Sequence, residues 1–435
     1  MYSHRVGSKR TIHLALIFLS QSLSIFSVQA TENLKTSTEV IELNFEDLPH
    51  LLQEKNLTIR GVGLSVQAAE YRTGYLTRSY LPTLALDTGG EHFQTGSYPI
   101  RTEPYAFLET RINLYRGGKD SLEDSIRQDQ VGITRAQAQR TSTEELTDAR
   151  KTYWTLIYQR EMAHVLKDAL QENEKNLASA KQRIQRGVTS DTDRVDFEIN
   201  QDLFQEELSS IEHEIELTQI KLRSFFSWPE NKWIETPHLI SHTHDETLLE
   251  AQIPAGAHPD VAQTKATSEM VLHQSSQANR WWTPTVDVYG GYYLYTLRDR
   301  DYLDVGRRDD LVAGIRFSIP LFDGLQSRAN AISSALQSEA WEAQAQQKEK
   351  TIQAKLKIAQ EEVKHHHELT HIAETRIQKG AKYLSQTLSE YRRGVKNFSD
   401  LQGALQRQIS FKRRYAEIKR DYQLFRADLL ALLNK

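Results

Sequence analysis

Cysteine is absent from this 435-residue chain, which excludes a disulfide framework and also a lipidated N-terminal cysteine. Beyond residue 30 no stretch approaches about 18 consecutive apolar residues, so no helix there is suited to crossing a membrane, and any insertion into lipid must use strands. A surplus of one charge is missing as well. Lys and Arg total 54 against 58 Asp and Glu, a net charge of −4 with a pI of about 6.5, so no basic surface asks for nucleic acid. Apolar residues are sparse: 39% of the chain is hydrophobic and the mean hydropathy is −0.59. Rich in Gln, Glu, Arg, Ala and Leu, the mixture suits long helices that share a thin apolar seam better than a thick globular core.

The first thirty residues read as a processing signal. Arg5, Lys9 and Arg10 precede an apolar run from Ile12 to Leu19 that continues weakly to Phe26, and Val28-Gln-Ala30 supplies small residues for cleavage. This predicts a signal peptide over 1–30 and a mature chain from Thr31. The competing reading, a membrane anchor, is disfavoured because the run is short and broken by Ser20, Gln21, Ser22 and Ser24.

Two stretches with strand periodicity stand out against the polar helical background. Val286, Val288, Tyr292 and Leu294 fall on one face of a two-residue period, as do Ala313, Ile315, Phe317, Ile319 and Leu321. The pattern is a hairpin over 284–322, apolar on one side. Tyr80-Leu-Pro82-Thr-Leu84-Ala-Leu86 and Tyr105-Ala-Phe107 to Arg116-Gly117 echo it, giving an earlier hairpin over 82–116. The chain is therefore a tandem repeat.

Helices fill the rest. A mobile arm from 31 leads to a short helix near 55, and the pattern from Leu57 to Tyr80 is helical and polar. From near Asp120 to Arg186 a helix runs unbroken, with Ala149, Leu156, Ala163, Leu170, Leu177 and Ile184 recurring every seven residues, a coiled-coil seam. At 1.5 Å per residue such a rod is roughly 100 Å long. After Gly187 a second helix returns to about Phe226, carrying Val195, Ile199, Leu208, Ile211, Ile215 and Leu222. The division that follows is a first repeat over 31–226 with its long helical hairpin at 119–226, a linker over 227–257 marked by Pro229, Pro237 and Pro254, and a second repeat over 258–435 with its helical hairpin at 325–433. Gly324 stands 207 residues after Gly117, and Gly394 stands 207 after Gly187. The seam transfers to Leu356, Val363, Thr370, Ile377, Leu384 and Tyr391. Matched rods imply two hairpins of equal height.

Four amphipathic strands cannot close a barrel, since about eight is the practical minimum, and open edges in lipid leave backbone groups unsatisfied. Several copies must combine, and three give twelve strands. The expected class is an α+β membrane protein: a tandem-repeat, long coiled-coil α-helical barrel below, with four β-strands per chain contributing to a trimeric 12-stranded transmembrane β-barrel.

His258-Pro259-Asp260, Pro284-Thr285-Val286, Ile319-Pro320-Leu321-Phe322-Asp323-Gly324 and Tyr391-Arg-Arg-Gly394-Val395 followed by Asp400, in this order and duplicated, make the chain similar to TolC-like outer-membrane efflux proteins over nearly all of its mature length. The first copy departs from the pattern with Asn113 for Pro320 and Arg116 for Asp323. The resemblance implies a homotrimer in outer-membrane lipid with its tunnel spanning the periplasm. Its tip would dock a membrane-fusion adaptor linked to an inner-membrane pump of RND, ABC or MFS type, serving tripartite efflux or type I secretion. It implies no enzyme activity and no cofactor.

The two Arg-Gly-Val turns lie at the far ends of the rods. Arg186, Gly187, Val188, Arg393, Gly394 and Val395 read either as helix caps alone or, as the resemblance implies, as adaptor-docking tips. The resemblance also places a closing link between Asp193 and Lys396 and another between Thr192 and Tyr391. Asp400, which the repeat aligns with Asp193, reads as ringing the constriction and favouring cations. The alternative for these residues is a solvated helix face.

His367-Glu368-Leu369-Thr370-His371, preceded by His365 and His366, fits a zinc-protease pattern. The matching slot of the first copy reads Arg160-Glu161-Met162-Ala163-His164, a mid-rod stretch, which argues against a catalytic cleft. Incidental metal binding by the cluster fits the repeat better and would suit metal-ion export. Tyr289, Tyr292, Tyr293 and Tyr295 read either as an interfacial belt or as ordinary strand residues. A periplasmic coiled-coil scaffold or adaptor is the alternative to a duct. Cargo stays open among drugs, metal ions and polypeptides, because a duct's wall need not recognise what its pump selects.

Overall fold

The computed structural model describes residues 39–93, 101–185, 191–237, 246–254, 256–298 and 305–434. The proposed signal peptide, Arg186, Gly187 and Val188 lie outside these residues.

The chain opens with strand β1 (Glu39–Glu42), a short 3-10 turn (Phe45–Asp47), and helices α1 (Leu48–Lys55) and α2 (Leu57–Glu70). Asn56 caps α2 by accepting the Ile59 N–H at 2.9 Å. The helical pattern read from Leu57 to Tyr80 is interrupted: α2 ends, Gly74 takes φ +70°, and α3 (Tyr75–Ser79) follows. Strands β2 (Thr83–Phe93) and β3 (Arg101–Tyr115) come next. Helix α4 (Lys119–Gln185) and helix α5 (Asp191–Phe225) make the first long hairpin.

Strand β4 (Lys232–Glu235) and helix α6 (Glu246–Leu249) then lie in the stretch read as a linker. The second half follows as α7 (Pro259–Asn279), β5 (Thr285–Arg298), β6 (Val305–Ser318), α8 (Gln326–Arg392) and α9 (Phe398–Leu432).

The repeat holds to the residue in the rods. Helices α4 and α8 each have 67 residues, α5 and α9 each have 35, and all four pairs of helix ends differ by 207. Helix α4 packs against α5, α7 and α9, and α8 packs against α7 and α9.

The predicted seams are buried. Ala149 and Leu156 are fully enclosed, Ala163, Leu177, Leu356, Val363, Thr370 and Tyr391 are buried, and Leu170, Ile184, Ile377 and Leu384 are half-buried. Beside the α8 seam runs a second row that hydrophobic spacing does not show: Ala331, Ser338, Ala345, Ile352, Ala359, Ala373, Gly380 and Thr387 are buried at heptad positions, with half-buried His366 filling the remaining place. Small residues let the helices approach closely. At one such contact Ser268 of α7 and Ser338 of α8 exchange hydroxyl-to-carbonyl hydrogen bonds of 2.9 and 3.0 Å.

The seam expected on α5 needs correction at its start. Val195 and Ile199 are 40% and 52% exposed, while Phe197, Asn200 and Leu208 are buried. The helix carries two apolar stripes one step apart. Only the one through Phe197 faces its own chain.

Midway along the rods, β1 and β4 pair in parallel, Glu39 opposite Lys232 through Glu42 opposite Glu235. Gln219 of α5 receives the Ile234 N–H at 3.1 Å and donates to the Ile234 carbonyl at 2.7 Å, and Arg160 of α4 reaches the same carbonyl at 2.6 Å. Those bonds satisfy backbone groups that this edge would otherwise bury unpaired. Leu43, Leu48, Leu52, Leu156, Ile157, Leu222 and Ile234 close the core there.

Candidate functional site

The four long strands form one antiparallel sheet in the order β2-β3-β5-β6, so the two hairpins join through β3 and β5. Its register sorts every side chain to one of two faces. One face carries rows such as Leu86, Leu108, Tyr292 and Leu311, then Ile112, Val288 and Ile315, then Tyr115, Val286 and Phe317. These side chains stand open: Leu84 is 72% exposed, Ile315 70% and Phe317 64%. A face this apolar and this exposed suits hydrocarbon rather than water.

The opposite face is polar and aromatic. Its rows run Asp87, Phe107, Tyr293 and Asp310, then Thr83, Arg111, Tyr289 and Gly314, then Asn113, Asp287 and Arg316. Arg111 pairs with Glu109 at 3.0 Å, and the Arg316 guanidinium sits 4.9 Å from the Tyr289 ring centre. Tyr289 lies flat across Gly314, where an added Cβ would stand 2.8 Å from its hydroxyl, and Tyr105 covers Gly89 in the same way at 2.6 Å. Glycine here makes room for a ring that shields the strand. Tyr289 and Tyr293 thus belong to the polar face and Tyr292 to the apolar one. Tyr289, Tyr292 and Tyr293 therefore do not share one face.

Strand β3 ends in a bulge between Asn113 and Tyr115, which returns Tyr115 to the apolar face. That irregularity falls where the first copy lacks the second copy's proline.

At the other end of the rods, Gly394 takes φ +77°, and the Val395 N–H closes back on Glu390 O at 3.0 Å. Val395 is 73% exposed at the turn, and Arg393 and Gly394 are exposed beside it. Asp400 closes a capping box with Asn397, whose side chain accepts the Asp400 N–H at 2.9 Å. Thr192 is exposed on the first turn of α5, and Lys396 is half-buried. The Asp193 side chain lies outside the described residues.

Tyr391 is buried in an apolar cluster with Leu177, Ala180, Phe197, Phe398 and Leu401. Sequence periodicity did not single out the centre of this cluster. There Phe197 of α5 meets Phe398 of α9 edge-on, with centroids 4.5 Å apart at 76°. The signal was present as one aromatic residue near the start of each return helix. Above the cluster, Glu207 of α5 and Arg413 of α9 form a bidentate pair, and Gln406 donates to Asn200 at 3.3 Å. Arg194 binds Asp191 at 2.8 Å and Glu198 at 2.8 Å, and its hydrogen bond holds the Asp191 carboxyl below the usual carboxylate range.

The side chains of the histidine run part to different sides of α8. His366 bonds its own helix at Glu362 O and rests on Phe425, with ring centres 4.7 Å apart, while His367 lies 5.9 Å from the Tyr422 ring. Glu368 and His371 are exposed, Thr370 is buried on the seam, and among the described residues no three His, Asp or Glu side chains converge as a metal site. Mid-rod packing engages the rings of His366 and His367 and leaves His371 in the open.

Among curated proteins none matches the chain by sequence. Solved structures do match its fold. The outer membrane protein VceC from Vibrio cholerae superposes with a TM-score of 0.74 at 15% identity, covering 90% of this chain and 96% of that one. The CmeC outer membrane channel of Campylobacter jejuni gives 0.73 at 14%, covering 90% and 85%. The open state of the MtrE outer membrane channel of Neisseria gonorrhoeae gives 0.69 at 13%, covering 90% and 88%. The sequence model for outer membrane efflux proteins matches residues 48–226 and 255–435, most of the chain. The chain is a member of the outer membrane efflux protein family, and its place is the outer membrane.

Proposed function

We propose that the chain is the passive exit duct of a tripartite efflux or type I secretion system, working as a homotrimer that docks a periplasmic adaptor and an inner-membrane pump. The observation that carries this reading is the four-stranded sheet with one exposed apolar face, in which β2 and β6 each have a single partner. Edge strands in lipid need partners. Joining β2 of one copy to β6 of the next through three copies supplies them and gives twelve strands. Exposed apolar stripes support the same assembly: Val195, Ile199 and Leu203 on α5 (40%, 52% and 53%), and Ile332, Leu336, Ile358 and Ile372 on α8 (53%, 61%, 61% and 53%). Neighbouring copies would cover both.

The two repeats, 31–226 and 258–435, then act as matched halves joined through 227–257. The turns around Gly187 and Gly394 are the docking tips, an assignment that the exposed Val395 supports. Asp193 to Lys396 and Thr192 to Tyr391 are the closing links, and Asp400 faces the constriction. An exposed ion pair stabilises by only about 0–1 kcal/mol, so three copies bias closure yet yield to a docked adaptor.

The test is conductance in planar bilayers, wild type beside Asp193→Ala/Lys396→Ala. Small, steady, cation-favouring currents that grow severalfold in the double variant support duct and gate together. Equal currents remove the gate. No insertion at all would return the chain to the scaffold reading.

A further inference from the structure

Where the first copy's sheet meets its rod, residues from both repeats converge. Arg280, at the end of α7, donates from Nη1 to Gly118 O at 3.1 Å and to Gly117 O at 3.4 Å. Gly117 and Gly118 take φ +65° and +72°, and Cβ atoms there would strike Thr283 at 1.9 Å and Arg280 at 2.2 Å. These contacts set Arg280 of the second repeat, two residues before Trp282, against the turn that follows Tyr115 and Arg116 and precedes Lys119 of the first. Tyr115 closes the apolar face of β3, and Trp282, just before β5, is 61% exposed. Strands β3 and β5 are interior to the sheet, so the edges open to strand pairing are those of β2 and β6.

The charge is one-sided. Arg116 is 43% exposed and stands 3.9 Å from Asp120, a carboxylate that is itself buried and held by Asn113 Nδ2 at 2.8 Å. Nearby Glu123 is engaged by Arg127 at 3.0 Å. The equivalent place in the second copy has the opposite sign. There Asp323 accepts the Leu325 and Ser327 N–H groups at 3.0 and 2.9 Å, and the Ser327 hydroxyl, followed by these N–H groups, holds its carboxyl below the usual range. One repeat thus uses an acid to start its rod, and the other shows cations beside exposed aromatics at the edge of the lipid-facing wall.

We propose that Arg116, Lys119 and Arg280, flanked by Tyr115 and Trp282, form a headgroup site for an anionic phospholipid of the periplasm-facing leaflet. The aromatics sit at the hydrocarbon boundary, and the cations one step beyond it meet the phosphate plane. Each cation near such a surface favours an anionic headgroup by about fivefold.

The purified full chain in detergent is titrated with short-chain phosphatidylglycerol, short-chain phosphatidylcholine or inorganic phosphate, and thermal unfolding is followed. The expected result is binding of phosphatidylglycerol more than about fivefold tighter than phosphatidylcholine, with no response to phosphate at the same concentration. In Arg116→Gln/Lys119→Gln the preference falls to within about twofold, while Arg116→Lys keeps it. Equal affinity for the two lipids, an unchanged preference in the double variant, or a full response to phosphate alone would each overturn the site. Should the double variant fail to fold, the wild-type preference must collapse at about 1 M salt, and a salt-insensitive preference overturns the proposal equally.

Discussion

His258 starts α7 with its Nδ1 accepting the Asp260 N–H at 3.2 Å, a task that only an unprotonated ring nitrogen can perform. Burial pushes this imidazole below its ordinary value of 6.5; Lys355 and Arg140 push the same way, and Asp260 opposes them. A depressed folded value means that the unfolded chain binds the proton more readily. The stabilisation is therefore complete above about pH 6.5 and is lost as the pH falls through the folded value. We expect the melting temperature to drop between about pH 7 and pH 5, with roughly 1 kcal/mol of the loss coming from this cap. His258→Asn, which caps without titrating, should flatten that drop in a pH series of thermal melts. A drop of unchanged depth would place the acid sensitivity elsewhere.

Single elements also show what was legible in the sequence. The rods, the strand pairs and the turns at Gly117, Gly324 and Gly394 could be read because long periods and a fixed offset reinforce each other. The β1–β4 pair could not, since four-residue strands carry too little periodicity to match each other across the intervening chain. The small-residue row through Ser338, Ala345 and Gly380 was equally hidden, because it buries by size rather than by hydrophobicity. Near the tip, resemblance pointed to polar links, and it gave no hint of the apolar contact that also joins the two hairpins, between Phe197 and Phe398. Truncating either to Ala should cost about 3–5 kcal/mol, as for buried aromatics generally. The double variant should fall short of additivity by about 0.5–1.5 kcal/mol, the worth of an edge-on pair. Denaturant unfolding of the four proteins measures this, and strict additivity would mean that the rings stabilise independently.

For the molecule as a whole, the two faces of the sheet make opposite forecasts from neighbouring residues. Ile315 lies on the apolar face and Arg316 on the polar one. Ile315→Arg puts a charge on the lipid-facing wall, at a cost that is about 2–4 kcal/mol at the midplane and smaller toward the strand ends, and should weaken the proposed trimer, read as less oligomer on unheated gels of outer-membrane fractions. Arg316→Gln should leave assembly intact and raise cation preference in single-channel recordings. If both variants assembled equally well, the face assignment would be wrong. The equal rods have a further consequence, for inheritance. With both pairs of rods matched at 67 and 35 residues, a heptad lost from one repeat alone would leave its turn about 10 Å short of the other, and the far end would no longer be level. Length can therefore drift in this lineage only through paired events in both halves of the gene, so insertions and deletions should accumulate in the strand-to-strand loops and between the repeats while the rods stay fixed.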